Sequence, residues 1–296
     1  MTTFEIIPRG PFSLGESATF GFGQRDAAQW DHGHSGGVMR LAFCLDGYGE
    51  QVGVEVRQHA ERVECVVHGD ADVAAVRRQV ARVLSLDHDG EEYVSVGRRD
   101  PVVARLLQAA PGLRPPLFYS PYEAAAWSVL SARRPARQMA QVRTRLSERF
   151  GRIFSVAGEP TAALPTPDQL LAVDAWPGLT AEKIVRLHGV ARAALAGQLD
   201  ADRLLSMDPG EAMTDLRSIR GIGPFASALI VIRATGFTDV LPTQEPQLLG
   251  RVAQLYGLPG PPSPEQFADL AEAWRPFRTW VAVLIRAAAS RLPTPG

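Results

Sequence analysis

The chain has 296 residues, 46% hydrophobic and 21% charged, with a formal net charge of −1. That length exceeds one simple core and predicts two or three structural units, in a composition ordinary for a soluble globular protein. No apolar run approaches the ~20 residues of a membrane span, and no basic stretch leads into an apolar core at the N-terminus, so a cytoplasmic protein with reduced, buried Cys44 and Cys65 is expected.

Residues 1–115 read as an N-terminal α+β domain. Phe12–Phe22 is expected to supply a first strand. Val38–Leu45, Gln51–Arg57 and Arg62–His68 are rich in β-branched and apolar residues, and Asp46-Gly47-Tyr48-Gly49 supplies a hairpin turn between the first two. Val73, Val76, Val80, Val83 and Leu84 recur at helical spacing, and a further short helix begins at Pro101. Pro111-Gly112-Leu113-Arg114-Pro115-Pro116 reads as a linker.

Residues 116–296 read as helical to their end. Ser120-Pro121-Tyr122-Glu123 combines a cap residue, a first-turn proline and a glutamate three residues after the serine. Met139, Val142, Leu146 and Phe150 mark the apolar face of an arginine-rich helix, within a segment holding Arg133, Arg134, Arg137, Arg143, Arg145, Arg149 and Arg152. A solvated face and a nucleic-acid contact both fit such a run. Further helices are expected over Glu182–Leu195, Phe225–Ala234, Leu248–Tyr256 and Phe277–Ala289, the second of these buried.

Between two of these helices lies Ser218-Ile219-Arg220-Gly221-Ile222-Gly223-Pro224-Phe225. Glycine tolerates positive φ and lets another backbone approach. The helix that follows opens on unpaired N–H donors, which suit an anion such as a nucleic-acid phosphate. Such Gly-x-Gly pairs also serve as plain helix-connecting turns.

Together with Arg99-Asp100-Pro101-Val102-Val103, Pro165-Thr166-Pro167-Asp168-Gln169-Leu170, Leu241-Pro242 and Trp274-Arg275-Pro276-Phe277-Arg278-Thr279, this hairpin resembles the helix-hairpin-helix DNA glycosylase superfamily, nearest in type to 3-methyladenine DNA glycosylase II, the AlkA type. The resemblance implies an α+β fold: an N-terminal mixed antiparallel sheet with helices, then an all-α two-lobed region whose hairpin spans about 214–235. It also implies a monomer that binds double-stranded DNA and no membrane, flips a damaged nucleotide out of the duplex and hydrolyses its N-glycosidic bond in base excision repair. The alternative is a paralogue that binds lesions with weakened or absent chemistry.

The resemblance then assigns roles by position. The family's aspartate, three residues after the proline that follows the hairpin's second helix, corresponds to Glu245, one methylene longer. Glu245 also precedes Pro246, which suits a plain helix N-terminus. The lysine used by backbone-cutting relatives corresponds to Phe225, and Lys183 is the only lysine in the chain, so no lyase activity is expected. Phe225, and Leu229 one turn on, are expected at the base pocket. Trp127, Tyr119 and Trp280, with Tyr122 and Trp274, could line it or belong to the core. Arg133 falls where the family wedges the duplex, although Ala132 replaces a glutamine, and Arg134 beside it is expected to contact DNA. Arg220, Gly221, Ile222, Gly223 and Pro224 are expected to hold phosphate. No cofactor is expected, beyond a monovalent cation at the Gly221 and Gly223 carbonyls when DNA is bound. No cysteine follows Cys65, which excludes the iron–sulfur branch. His32 and His34 beside Asp31 read as a surface loop rather than a metal site.

Overall fold

The computed structural model describes residues 2–20, 30–31, 37–243 and 245–292. His32 and His34 lie outside the described residues. The N-terminal half builds an antiparallel sheet from Thr2–Ile6 (β1), Trp30–Asp31 (β2), Val38–Cys44 (β3), Gln51–His59 (β4) and Arg62–His68 (β5), in the order β1-β5-β4-β3-β2. Leu41 stands opposite Val54, and Val54 opposite Val67.

The predicted strand over Phe12–Phe22 is instead the helix Leu14–Phe20 (α1), where Ser13 Oγ accepts the Glu16 N–H at the first turn and Leu14 and Ser17 are buried three residues apart. The first strand lies earlier, where Thr2–Ile6 pairs with Val63–Val67 of β5.

One face of the sheet is closed by Val73–Val83 (α2), whose Val76, Val80 and Val83 pack on Leu41, Phe43 and Val54. After Gly90–Ser95 (α3), Pro101–Ala109 (α4), Pro121–Ser131 (α5) and Ala136–Phe150 (α6), the chain forms a two-stranded hairpin, Ile153–Val156 (β6) with Glu159–Ala162 (β7). The region beyond the linker is therefore not helical throughout. The hairpin covers the sheet's second face, setting Phe154 and Val156 against Ala42. A Cβ on Gly53 would stand 2.8 Å from that of Phe154, so this close approach requires glycine. Covered on both faces, β3 is buried along its whole length.

The remaining helices are Pro167–Leu171 (α7), Ala181–Leu195 (α8), Ala201–Leu205 (α9), Pro209–Leu216 (α10), Pro224–Ile230 (α11, continued by a π-helical turn over Val231–Thr235), Pro246–Tyr256 (α12), Pro264–Ala271 (α13) and Arg278–Ala288 (α14). Residues from α5 through α11 share one core, which also takes Cys44 and Tyr48 from the sheet unit. A separate core joins Tyr93, Val103 and Leu106 of α3 and α4 to Phe267, Trp274 and Trp280 near the C-terminus. Packing thus redistributes the units expected at residue 115: the apolar faces of α3 and α4 are closed by α12–α14, not by the sheet.

Two motifs of the resemblance meet here. Asp100 Oδ1 accepts the Val102 and Val103 N–H groups at the start of α4, and its Oδ2 accepts from Trp274 Nε1 at 2.9 Å and from the Tyr256 hydroxyl. The expected linker is likewise no free tether. Arg114 is buried and donates to the carbonyls of Arg9, Gly10, Pro11, Ser85 and His88, which ties the segment to the N-terminal unit.

Candidate functional site

The hairpin joins α10 to α11. Gly221 has φ +98°, in the left-handed range that favours glycine, and the Ile222 N–H donates to the Ile219 carbonyl at 3.0 Å. Ile222 is itself buried in the middle core, so its side chain anchors the turn and any ligand contact there is left to the backbone. Gly223 and Pro224 are exposed. The first helical bond of α11 runs from the Ser227 N–H to the Gly223 carbonyl, which leaves the Phe225 and Ala226 N–H groups in the unpaired first turn.

Basic side chains link this turn to the loop between α5 and α6. Arg133 and Arg134 are exposed there, and Arg133 holds φ +56°, a conformation that costs a non-glycine residue about 1–2 kcal/mol. Lys183 on α8 donates to the Leu130 and Ala132 carbonyls, closing the C-terminal end of α5. Burial, then the positive charges of Arg134 and Arg186, push its ammonium below the usual lysine range. One turn on from Lys183, Arg186 reaches Gly221: a Cβ there would lie 3.0 Å from Arg186 Cδ. Arg133, Arg134, Lys183, Arg186 and Arg220 therefore form one basic strip, with Glu182 paired to Arg186 within it. The sequence reading found its two ends and missed α8 in the middle. The signal was the Lys183/Arg186 spacing, three residues apart on a predicted helix.

Beyond α11 the chain crosses from the middle core to the C-terminal one, and Glu245 stands at that seam. It is the N-cap residue of α12 with Pro246 behind it, but its carboxylate makes no capping bond. Oε1 instead accepts from Arg286 Nη1 on α14 at 2.7 Å, with Glu245 26% and Arg286 41% exposed. Behind the pair lies Arg233, buried, donating through Nη2 to the Pro116 carbonyl at 2.7 Å and lying 5.0 Å from the Phe20 ring centroid. Its Nε has no hydrogen-bond partner among the described residues. Burial, then the charge of Arg286, pull the Arg233 guanidinium down to about 10 against the opposing field of Glu245. Arg251 of α12 donates to the Arg286 carbonyl and so braces the backbone of α14.

Superposition on a solved 3-methyladenine DNA glycosylase from Archaeoglobus fulgidus covers 98% of both chains, with a TM-score of 0.76 at 22% identity. The chain has the helix-hairpin-helix DNA glycosylase fold. Its sequence relatives include a DNA-3-methyladenine glycosylase of Bacillus subtilis, 22% identical over 205 residues (67% of this chain, 66% of that protein). Another is a probable bifunctional transcriptional activator/DNA repair enzyme AlkA of Mycobacterium tuberculosis, 28% identical over 227 residues (74% of this chain). The chain spans 66% and 44% of the lengths of these two relatives. No family model matches it.

Within this glycosylase fold the expected pocket residues separate. Phe225 is 79% exposed, the most exposed large hydrophobic side chain among the described residues. The helix expected to be buried therefore opens on a bare aromatic. Phe225, Leu229 and Arg233 follow at four-residue spacing, which sets them along one face of the helix, running from solvent inward.

Trp127, Tyr119 and Trp280 do not join that stripe and fall into three different cores. Trp127 is buried among the middle helices. Tyr119 packs on Phe43 at 5.3 Å, and its carbonyl accepts from Gln79 and Arg82. Trp280 packs on Tyr93 at 4.9 Å and on Phe277 at 5.2 Å. Tyr122 and Trp274 are core residues too, the former donating to the Pro165 carbonyl. Large aromatic surfaces fill cores unless a cavity is kept for them, and helical spacing alone does not distinguish the two.

A cavity of about 550 Å³ lined by Pro8, Phe12, Gln58, Glu91 and Pro111 lies at the sheet unit. It contains none of the candidate catalytic, pocket or DNA-contacting residues. Among the described residues no group of three or more His, Cys, Asp or Glu side chains is placed to hold a metal ion, and no helix is long and apolar enough to cross a membrane.

Proposed function

We propose that the protein is a monofunctional DNA glycosylase that hydrolyses the N-glycosidic bond of alkylated or otherwise modified bases in duplex DNA. The observation that carries this is the position of Glu245: a partly exposed carboxylate at the seam between two helical cores, free of helix capping, beyond an anion-accepting hairpin. Cleavage of the bond builds positive charge on the deoxyribose, and a carboxylate beside C1′ stabilises it and orients water.

Phe225 stacks on the everted base, Arg133 fills the gap it leaves, and the strip from Arg134 through Arg186 to Arg220 tracks the phosphates. The first-turn N–H groups of α11 receive one of those phosphates. A monovalent cation at the hairpin belongs to the same proposal. The Gly223 carbonyl already accepts from Ser227 and has one lone pair left for it. With Phe225 at the lyase position and Lys183 occupied by the α5 carbonyls, water is the nucleophile.

The ion pair with Arg286 also suits a second reading, a lesion-binding protein without turnover, because half of the carboxylate is already engaged. Single-turnover base release from methylated and deaminated duplexes, with Glu245→Gln as control, separates the two. Base release by the parent, reduced about 100-fold or more in the variant, supports the glycosylase. DNA binding without release of any base by the parent would leave only the binding protein.

A further inference from the structure

Two guanidinium groups, Arg286 and Arg233, and one carboxylate, Glu245, meet at the seam, and their balance bears on which leaving group the site favours. Arg286 and Glu245 form a contact ion pair with both members partly open to solvent, so both can reach a ligand entering between the lobes. Arg233 is fixed behind them through the Pro116 carbonyl, and Arg251 braces the Arg286 backbone. Asp239 offsets none of this, because its carboxylate is held by Arg275 and Arg278. The net charge around Glu245 is positive.

Breaking the C1′–N bond sends its electron pair to the base nitrogen. Water then adds to C1′ through oxygen and gives up a proton. A neutral lesion, such as a deaminated base, departs as an anion and takes that proton afterwards. Its transition state is a dipole, positive on the sugar and negative on the base. A cationic lesion, such as an N-alkylated purine, departs as a neutral base and the proton lost by water goes to solvent, so no negative charge develops on the base.

Resting on the glycosylase reading above, we infer that the Glu245–Arg286 pair is a preformed counter-dipole that selects neutral base lesions over cationic ones. Glu245 faces the sugar cation, and Arg286 is a specificity-determining residue that hydrogen-bonds the departing anion. The surplus positive charge of Arg233 repels a base that is cationic before cleavage. Oriented donors in a partly desolvated site act on the charge that develops and need little reorganisation.

The experiment compares rate enhancement over enzyme-free duplex for hypoxanthine and uracil with that for 7-methylguanine, under single turnover, in the parent, Arg286→Gln and Arg286→Lys. The parent should enhance release of the neutral bases at least about tenfold more than release of 7-methylguanine. Arg286→Gln should lower that ratio about 100-fold, the usual scale for losing one such donor. Arg286→Lys, which keeps the charge, should restore much of it. A parent that favours 7-methylguanine, or a ratio unmoved in Arg286→Gln, overturns the inference and leaves the glycosylase standing. If the parent releases none of the three bases, the glycosylase reading itself fails and the selection of leaving group goes with it. The parent ratio needs no variant to fold.

Discussion

Gly221 and Gly223 flank one buried isoleucine but are glycine for different reasons, so substituting each in turn separates folding from binding. At Gly221, φ is +98° and an added Cβ would stand 3.0 Å from Cδ and 3.2 Å from Cβ of Arg186. Alanine there costs about 1–2 kcal/mol in backbone conformation. Arg186 Cβ is fixed to its helix and cannot swing away, which adds about 1 kcal/mol of crowding. With about 2.1 cal/mol/K of unfolding entropy per residue, a chain of 296 residues loses roughly 3–5 °C in Tm.

At Gly223 the backbone has φ −94°, and nothing lies within 4 Å of the added Cβ. Alanine at this N-cap loses about 0.5–1 kcal/mol and regains a similar amount from a stiffer unfolded chain. Its Tm should stay within about 1 °C of the parent. The open space at Gly223 is where a phosphate would approach the first-turn N–H groups. A methyl group there displaces it and removes the equivalent of one charge-assisted hydrogen bond, about 1.5–3 kcal/mol, so duplex Kd rises about 10- to 150-fold.

Fluorescence anisotropy over a salt series, beside thermal melts, reads both quantities. Because no charge is removed, the salt slope of Gly223→Ala matches the parent, whereas Arg220→Ala lowers it by about one. A Gly223→Ala protein that both melts and binds like the parent would refute a phosphate grip at this turn.

Three other outcomes follow from specific contacts. Glu123, 1% exposed, pairs with the Arg143 guanidinium at 2.7 Å, so Glu123→Ala strands a buried cation at a cost of about 3–5 kcal/mol. The double change Glu123→Leu with Arg143→Met should cost much less in urea unfolding, and equal losses would trace the effect to packing instead. Arg133→Gly relieves the left-handed backbone and should raise Tm by about 1–2 °C while weakening duplex binding, with a salt slope lower by about one. Finally, the Arg203 hydrogen bond, aided by Gln198, holds the Asp215 carboxyl below its usual range. Its contribution, under about 1 kcal/mol, is present above the unfolded-state value near pH 4 and is lost as pH falls through the folded-state value. Asp215→Asn should remove that part of the acid slope in urea unfolding, and an unchanged slope would count against the pairing.

Local patterns determined a good deal of this protein. Alternation and β-branching placed β3, β4 and β5 to within two residues, helical spacing placed α2, a first-turn proline placed α4 and a cap with such a proline placed α5, because those signals act between near neighbours in the chain. The Gly-x-Gly turn and the glutamate beyond it were legible for the same reason. What tertiary structure decided was everything set by a partner far away in sequence. Leu14–Phe20 became a helix, Phe154 found a sheet face against Gly53, and α3 and α4 closed their apolar sides on helices more than 130 residues later. The aromatic residues Trp127, Tyr119 and Trp280 went to three separate cores, since helical spacing records a buried face but not what buries it. Above all, no local pattern tied Glu245 to Arg286 or set Arg233 behind them. Charges separated by tens of residues meet only when lobes pack, and it is that meeting which fixes the electrostatics of the seam.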